Sequence, residues 1–121
     1  MLNNPRTPAT RRVGYLLPAA ALLLALLSIG ADDQGSTQNV TIQDMSFSPT
    51  SVHAKVGDTV IWTNADDQDH TVIAADGSFN SGDIGSGRSF QHKFTRAGTF
   101  GYYCKYHPRM KGNVVVAAKD R

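Results

Sequence analysis

A thiol, an imidazole and a thioether stand at even spacing near the end of the chain. Cys104, His107 and Met110 are three positions apart within GYYCKYHPRMKG, and Cys104 is the only cysteine in the 121 residues. Thiolate and imidazole bind borderline and soft metal ions, and a thioether adds a weak, soft contact. A zinc site would normally use further cysteine, histidine or carboxylate ligands. The spacing therefore predicts a soft-metal site, although a buried cysteine can also be a simple core residue.

A second histidine is needed to complete such a site. His53 and His92 lie inside segments of alternating hydrophobicity, and we interpret them as ordinary strand residues. His70 stands 34 residues before Cys104, after the polar loop ADDQD and at the start of the apolar run HTVIA. One cysteine, two histidines and a distant methionine form the ligand set of a blue-copper site. Position in the chain therefore favours His70.

Short strands must position these side chains. Runs of alternating or β-branched residues, bounded by Gly, Asp, Asn and Pro, predict strands. The predicted strands are 39–45, 51–56, 59–64, 70–74, 88–94, 99–104 and 113–118. No convincing helical period follows residue 31, and we expect residues 105–112 to form a loop. The pattern indicates an all-β fold, an antiparallel Greek-key β-sandwich or barrel of about seven to eight strands.

The first 31 residues differ from the rest. Three arginines precede an uncharged apolar run, 13–31, that ends in small residues, which is typical of a cleaved signal peptide. The run is also long enough for an uncleaved N-terminal membrane anchor, and that alternative stays open. We expect residues 32–38 to be a flexible linker and residues 39–121 to be the domain. Both alternatives place the domain outside the cytoplasm, in the periplasm or another extracytoplasmic space.

Charge excludes one class of partner. Residues 32–121 carry nine basic and ten acidic residues, a net charge of −1, so the basic excess of the whole chain comes from its N-terminus. No broad basic field is available for nucleic acid.

An exported chain with one cysteine has no internal disulfide, and its thiol is reactive, intermolecular or metal-ligating. The last of these agrees with the predicted metal site.

Four motifs resemble a known family. They are FSP at 47–49, GDTVIWTN at 57–64, HTV at 70–72 and YCKYHPRMKG at 103–112. Together, and over nearly all of 39–117, the sequence resembles the cupredoxins, small blue copper proteins of the plastocyanin and amicyanin type. The resemblance implies one copper ion that cycles between Cu(I) and Cu(II). The implied ligands are His70, Cys104, His107 and Met110.

The resemblance also implies a function. A mononuclear copper protein of this kind carries single electrons between protein redox partners, which it meets in weak, transient contacts, and is not an enzyme. We expect a monomer, tethered to a membrane only if the N-terminal segment is uncleaved. The alternative is a periplasmic copper-binding or copper-delivery protein, but the chain has no Met- and His-rich tract. A metal-free adhesive sandwich leaves the GYYCKYHPRMKG stretch unexplained.

Several neighbours of the ligands have expected roles. The backbone N–H of Thr71 should point to the Cys104 sulfur, and Asn64 should give structural support. His107 should be the ligand nearest solvent and therefore the route for electrons. Tyr106 occupies a position where amicyanin-like loops commonly have proline, so its N–H is available for a second hydrogen bond to the sulfur.

Overall fold

The computed structural model describes residues 35–120, and this part of the chain is built from eight β-strands. Alternating buried and exposed side chains mark most of them, as expected for strands with one face toward a core. The strands are β1 (Thr37–Gln43), β2 (Ser46–Ser48), β3 (Ser51–Lys55), β4 (Thr59–Asn64), β5 (Ile73–Ala74), β6 (Ser89–Lys93), β7 (Gly98–Cys104) and β8 (His107–Ala117).

Two four-stranded sheets form the sandwich. Their strand orders are β2-β1-β4-β6 and β3-β8-β7-β5. The predicted all-β sandwich is confirmed. Its antiparallel description is only approximate, because β1–β4 and β3–β8 are parallel pairs and the remaining pairs are antiparallel. Parallel neighbours need a crossover connection, and here the chain between β1 and β4 passes through β3 in the other sheet. Alternation of side chains reports the faces of a strand and not its direction.

The core lies between the inner faces of the sheets. Val40 and Ile42 of β1 are buried, and Trp62 of β4 is fully buried at the centre. Tyr102 of β7 packs edge-on against Trp62 with ring centroids 5.3 Å apart, and Phe47 packs edge-on against Tyr102 at 4.8 Å. These aromatic contacts join the two sheets near the ends of β4 and β7.

Several predicted strand limits change. Strand β1 begins at Thr37, inside the segment 32–38 that we expected to be a linker, because Thr37 pairs with Thr59. Strand β2 was not expected. The predicted strand 70–74 is reduced to β5, and His70 forms an isolated bridge with Ile84. The predicted loop 105–112 is wrong, because β8 begins at His107 and only two residues separate it from β7.

The predicted signal peptide or anchor, residues 1–31, lies outside the described residues. Within residues 35–120, no helix has the length and hydrophobicity needed to cross a membrane.

Candidate metal centre

The β7–β8 hairpin carries three of the four predicted ligands. Strand β7 ends at Cys104, and β8 begins at His107 directly opposite it. Tyr103, one residue earlier, is opposite Lys111, so the register shifts and residues 108–110 have no partner on β7. Such a bulge re-aims the side chains of the longer strand. It is the local reason that a thiol, an imidazole and a thioether from one short segment lie together.

Three donor atoms converge at this end of the sandwich. The Sγ atom of Cys104 lies 3.8 Å from Nδ1 of His70 and 3.9 Å from Nδ1 of His107. All three donor atoms lie within 4.8 Å of one another. Zinc in proteins lies about 2.3 Å from sulfur and about 2.05 Å from nitrogen. Around a trigonal metal ion with these bond lengths, the sulfur and nitrogen ligand atoms are about 3.8 Å apart. The donor set and both sulfur–nitrogen distances therefore fit a metal ion without rearrangement.

Burial distinguishes the four predicted ligands. His70 and Cys104 are fully buried and Met110 is 3% exposed, whereas His107 is partly exposed. Of the four predicted ligands, His107 is therefore the most exposed, and that it binds a metal stays a prediction. Met110 is buried within the same bulge, and its role as an axial ligand stays a prediction.

The other two histidines lie elsewhere. His53 is exposed on β3, opposite Val115 of β8. His92 is on β6, where its ring lies 4.7 Å from that of Phe79 and 4.8 Å from that of Phe94. Burial among these rings lowers the pKa of His92. Neither histidine belongs to the convergent group, which agrees with their interpretation as strand residues.

Thr71 connects the two segments that supply the donors. Its backbone N–H donates to Cys104 Sγ at 3.4 Å, and its side-chain Oγ1 accepts the backbone N–H of Lys105 at 2.9 Å. The expected hydrogen bond to sulfur is confirmed. Burial by itself would raise the pKa of the Cys104 thiol, but hydrogen bonds from His107, Thr71, His70 and, least of all, the Tyr106 N–H lower it to about 6. The site therefore favours the thiolate, the form that binds metals.

Asn64 holds the loop before His70 in place, as expected. It is fully buried, and its Nδ2 donates to the backbone oxygens of Gln68 at 2.7 Å and Ile84 at 2.9 Å. Its Oδ1 accepts the backbone N–H of Asp66 at 2.8 Å. One side chain thus satisfies three backbone groups of the segments that flank His70, which fixes where that imidazole enters the site.

Asp66 contacts the site and was not among the predicted residues. Its Oδ2 lies 2.8 Å from Nε2 of His70, on the edge of the ring away from Cys104. In the sequence, Asp66 is one of the acidic residues of the polar loop ADDQD that precedes His70. The sequence signal for this contact is a carboxylate four positions before a candidate ligand. In a loop, that spacing does not predict whether the two side chains touch.

The turn between Cys104 and His107 is tied to the opposite segment. The Tyr106 hydroxyl donates to Asp83 Oδ1 at 2.6 Å, and Lys105 Nζ lies 3.8 Å from the same oxygen. The Lys105 Nζ also lies 5.0 Å from the centre of the Tyr106 ring. Asp83 directly precedes Ile84, the bridge partner of His70. These contacts connect the turn between β7 and β8 to the segment that contains Asp83 and Ile84.

Comparisons with known proteins agree with this geometry. The sequence profile of the cupredoxin-like domain matches residues 16–116. Amicyanin-alpha of Methylorubrum extorquens is 36% identical, and the match covers 89% of this chain and 94% of that protein. Amicyanin of Paracoccus denitrificans is 34% identical over 64% of this chain and 63% of its own length. Plastocyanin of Scenedesmus fuscus is 34% identical over 58% of this chain and 85% of its own.

Solved structures give the same result. The Cu(I) form of an amicyanin variant matches with a TM-score of 0.62 and 33% identity, over 66% of this chain and 81% of that one. A purple cupredoxin from Nitrosopumilus maritimus matches with a TM-score of 0.62 and 31% identity, over 66% of this chain and 99% of that one. With the profile covering most of the sequence, the chain belongs to the cupredoxin-like family.

Proposed function

We propose that this protein is a mononuclear blue copper protein that carries single electrons between protein redox partners and is not an enzyme. The observation that carries the proposal is the convergence of one buried thiolate and two imidazole Nδ1 atoms at 3.8 and 3.9 Å. The proposed ligands are His70, Cys104, His107 and, in the axial position, Met110. The amicyanin and plastocyanin relatives support copper over zinc, as does a methionine in the donor set.

The residues of the site suit electron transfer because hydrogen bonds within the chain hold them in position. Bound copper would supply a one-electron couple between Cu(I) and Cu(II). Thr71 holds the Cys104 sulfur and, through Lys105, the turn that follows it. Asn64 holds the loop that presents His70. Because the chain's own hydrogen bonds fix these segments, a change in oxidation state need not rearrange them, and a small rearrangement favours fast electron transfer.

His107 is the proposed route for electrons because it is the least buried donor. It borders a surface cavity of about 590 Å³ that is also lined by Met45, Pro108 and Met110. Met45 is 48% exposed, so an apolar surface lies beside the imidazole edge. A redox partner can contact this surface closely without a large interface, as transient electron-transfer complexes do. Arg109 also lines this cavity, and Lys105 and Lys111 are exposed close to His107 in the chain. These basic side chains would steer an acidic partner, more weakly at high salt.

The cellular setting belongs to the proposal as well. Residues 1–31 have the composition of a signal peptide or membrane anchor, which supports a site of action outside the cytoplasm. We propose a monomer in either case. Mass spectrometry of the native N-terminus distinguishes a cleaved chain from a tethered one.

Copper titration of the purified domain tests the proposed function. Addition of one equivalent of Cu(II) should produce an intense blue thiolate-to-copper band, and voltammetry should show a reversible one-electron couple. Cys104→Ser should abolish the band, whereas His92→Ala, which removes a histidine outside the convergent group, should retain it. A colourless wild-type protein would contradict the proposal. Loss of copper on reduction would favour the alternative of a copper-delivery protein.

A further inference from the structure

The two nitrogen atoms of the His70 ring face different side chains. Its Nδ1 faces the Cys104 sulfur at 3.8 Å, and its Nε2 lies 2.8 Å from Oδ2 of Asp66. The His70 side chain is 0% exposed and that of Asp66 is 15% exposed, so the contact is largely shielded from water. A hydrogen bond to a carboxylate in such surroundings is stronger than one between neutral groups.

The Asp66 carboxylate is held by groups outside the metal centre. It accepts the backbone N–H of Asp44 at 2.7 Å through Oδ1 and that of Met45 at 3.0 Å through Oδ2. Asp44 and Met45 form the β1–β2 turn, and each has a φ of 55°. Residues other than glycine rarely adopt this left-handed conformation, so the turn needs support. The two hydrogen bonds to Asp66 provide it.

The other end of Asp66 is fixed too. Its backbone N–H donates to Oδ1 of Asn64, which is fully buried at the end of β4. The carboxylate therefore meets the imidazole in one orientation, because hydrogen bonds hold both of its oxygens and its backbone N–H.

We propose that Asp66 is a positioning residue of the metal centre, which holds the His70 ring with its proton on Nε2 and its Nδ1 lone pair directed at the metal. This inference rests on the proposed function, in which His70 binds copper. A carboxylate that accepts the second N–H of a metal-bound imidazole fixes the tautomer and makes the imidazole a stronger donor. A stronger donor stabilises Cu(II) more than Cu(I), so Asp66 lowers the reduction potential.

Asp66→Asn tests the proposal, and Asp67→Asn is its matched control. Asp67 is the next residue in the chain, is exposed, and carries the same charge without a hydrogen bond to His70. Loss of such a partner typically weakens metal binding by about 10-fold to 100-fold. We expect Asp66→Asn to weaken Cu(II) binding by about 10-fold relative to Cu(I), which for a one-electron couple raises the potential by about 59 mV. Asp67→Asn should change it much less.

The readouts separate positioning from charge and from folding. Competition with a chelator measures Cu(II) and Cu(I) affinity, voltammetry measures the potential, and thermal unfolding of the copper-free proteins measures stability. Equal potential shifts in the two variants, or no shift in Asp66→Asn, would overturn the proposal. If Asp66→Asn does not fold, nitrogen NMR of the wild-type Cu(I) protein decides. A slowly exchanging proton on His70 Nε2 supports the proposal, and a rapidly exchanging or absent proton overturns it.

Failure of this inference is distinguishable from failure of the proposed function. A wild-type domain that forms no blue copper centre contradicts the function. A wild-type domain that forms the centre, with a potential that Asp66→Asn leaves unchanged, contradicts only the role of Asp66.

Discussion

Gly112 should be indispensable for the strand that carries His107 and Met110. It lies on β8 opposite Tyr102, and a Cβ atom at this position would lie 2.5 Å from Tyr102 Oη, 2.7 Å from its Cζ and 2.9 Å from the carbonyl oxygen of Thr50. Real Cβ atoms do not approach other heavy atoms this closely. Gly112→Ala therefore forces Tyr102, Thr50 or β8 itself to move.

Movement of any of these groups would disrupt core packing or a backbone hydrogen bond. Tyr102 is buried and packs edge-on against Trp62 and Phe47, and the Thr50 oxygen accepts the backbone N–H of Asn113 at 3.0 Å. Overpacking of a well-packed core costs about 1–3 kcal/mol. Because one of the obstructing atoms belongs to the backbone, we expect a loss near the upper end, about 3 kcal/mol. In a domain of this size, that loss lowers the melting temperature by roughly 12–24 °C.

Gly101→Ala is the matched control for this substitution. Gly101 lies on β7, the partner strand of β8, and a Cβ atom there would meet nothing within 4 Å. We expect Gly101→Ala to be neutral or to stabilise the protein by up to about 1 kcal/mol. Denaturant and thermal unfolding of both copper-free variants measure the difference. A Gly112→Ala protein within about 1 kcal/mol of wild type, or equal losses in the two variants, would refute the packing argument.

Three further predictions concern the sulfur and the far end of the sandwich. Tyr106→Pro removes a weak N–H donor to the sulfur and should lower the reduction potential by about 20–65 mV, from a hydrogen bond of about 0.5–1.5 kcal/mol. Tyr106→Ala keeps the N–H and should not lower the potential. An unchanged or higher potential in the proline variant would contradict the reasoning. The Cys104 thiol of the copper-free protein should titrate at about pH 6. Because its folded pKa is depressed, its contribution to stability is full above the unfolded pKa of about 9 and is lost as pH falls toward 6, and Cys104→Ser should lack this pH dependence. The ultraviolet absorbance of the thiolate measures this titration, and a midpoint near pH 9 would contradict the depressed pKa of Cys104. Asp58 accepts the backbone N–H groups of Ser36 at 2.8 Å and Lys55 at 2.9 Å. Asp58→Ala should cost about 1–3 kcal/mol in urea unfolding without altering the potential, and an unchanged midpoint would count against it.

Local patterns predicted much of the sandwich. Strand β4 has the predicted limits, 59–64, and the buried face of β1 carries Val40 and Ile42 as the alternation indicates. These strands were predictable because their alternation reflects a core that each of them faces directly. The positions of Thr71 and Asn64 beside the site were also predictable, although from the family resemblance and not from periodicity.

The region after Cys104 shows why other features were missed. Pro108 and Gly112 made residues 105–112 read as a loop, yet β8 begins at His107. The deciding feature is the register of β8 on β7, in which Tyr103 faces Lys111 and Cys104 faces His107. A register belongs to two strands at once, so the composition of one segment does not encode it. The same holds for the parallel direction of β1 beside β4.

The sequence alone therefore determined the chemistry of the site, because the identities and spacing of Cys104, His107 and Met110 are local properties of one segment. The tertiary structure decided which distant groups join them. It brings the Nδ1 of His70, 34 residues earlier in the chain, to 3.8 Å from the Cys104 sulfur and places the Asp66 carboxylate behind the same ring. The physical reason is that two sheets must pair, cross over and pack before the ends of β4 and β7 meet, and contacts of that kind depend on the whole domain.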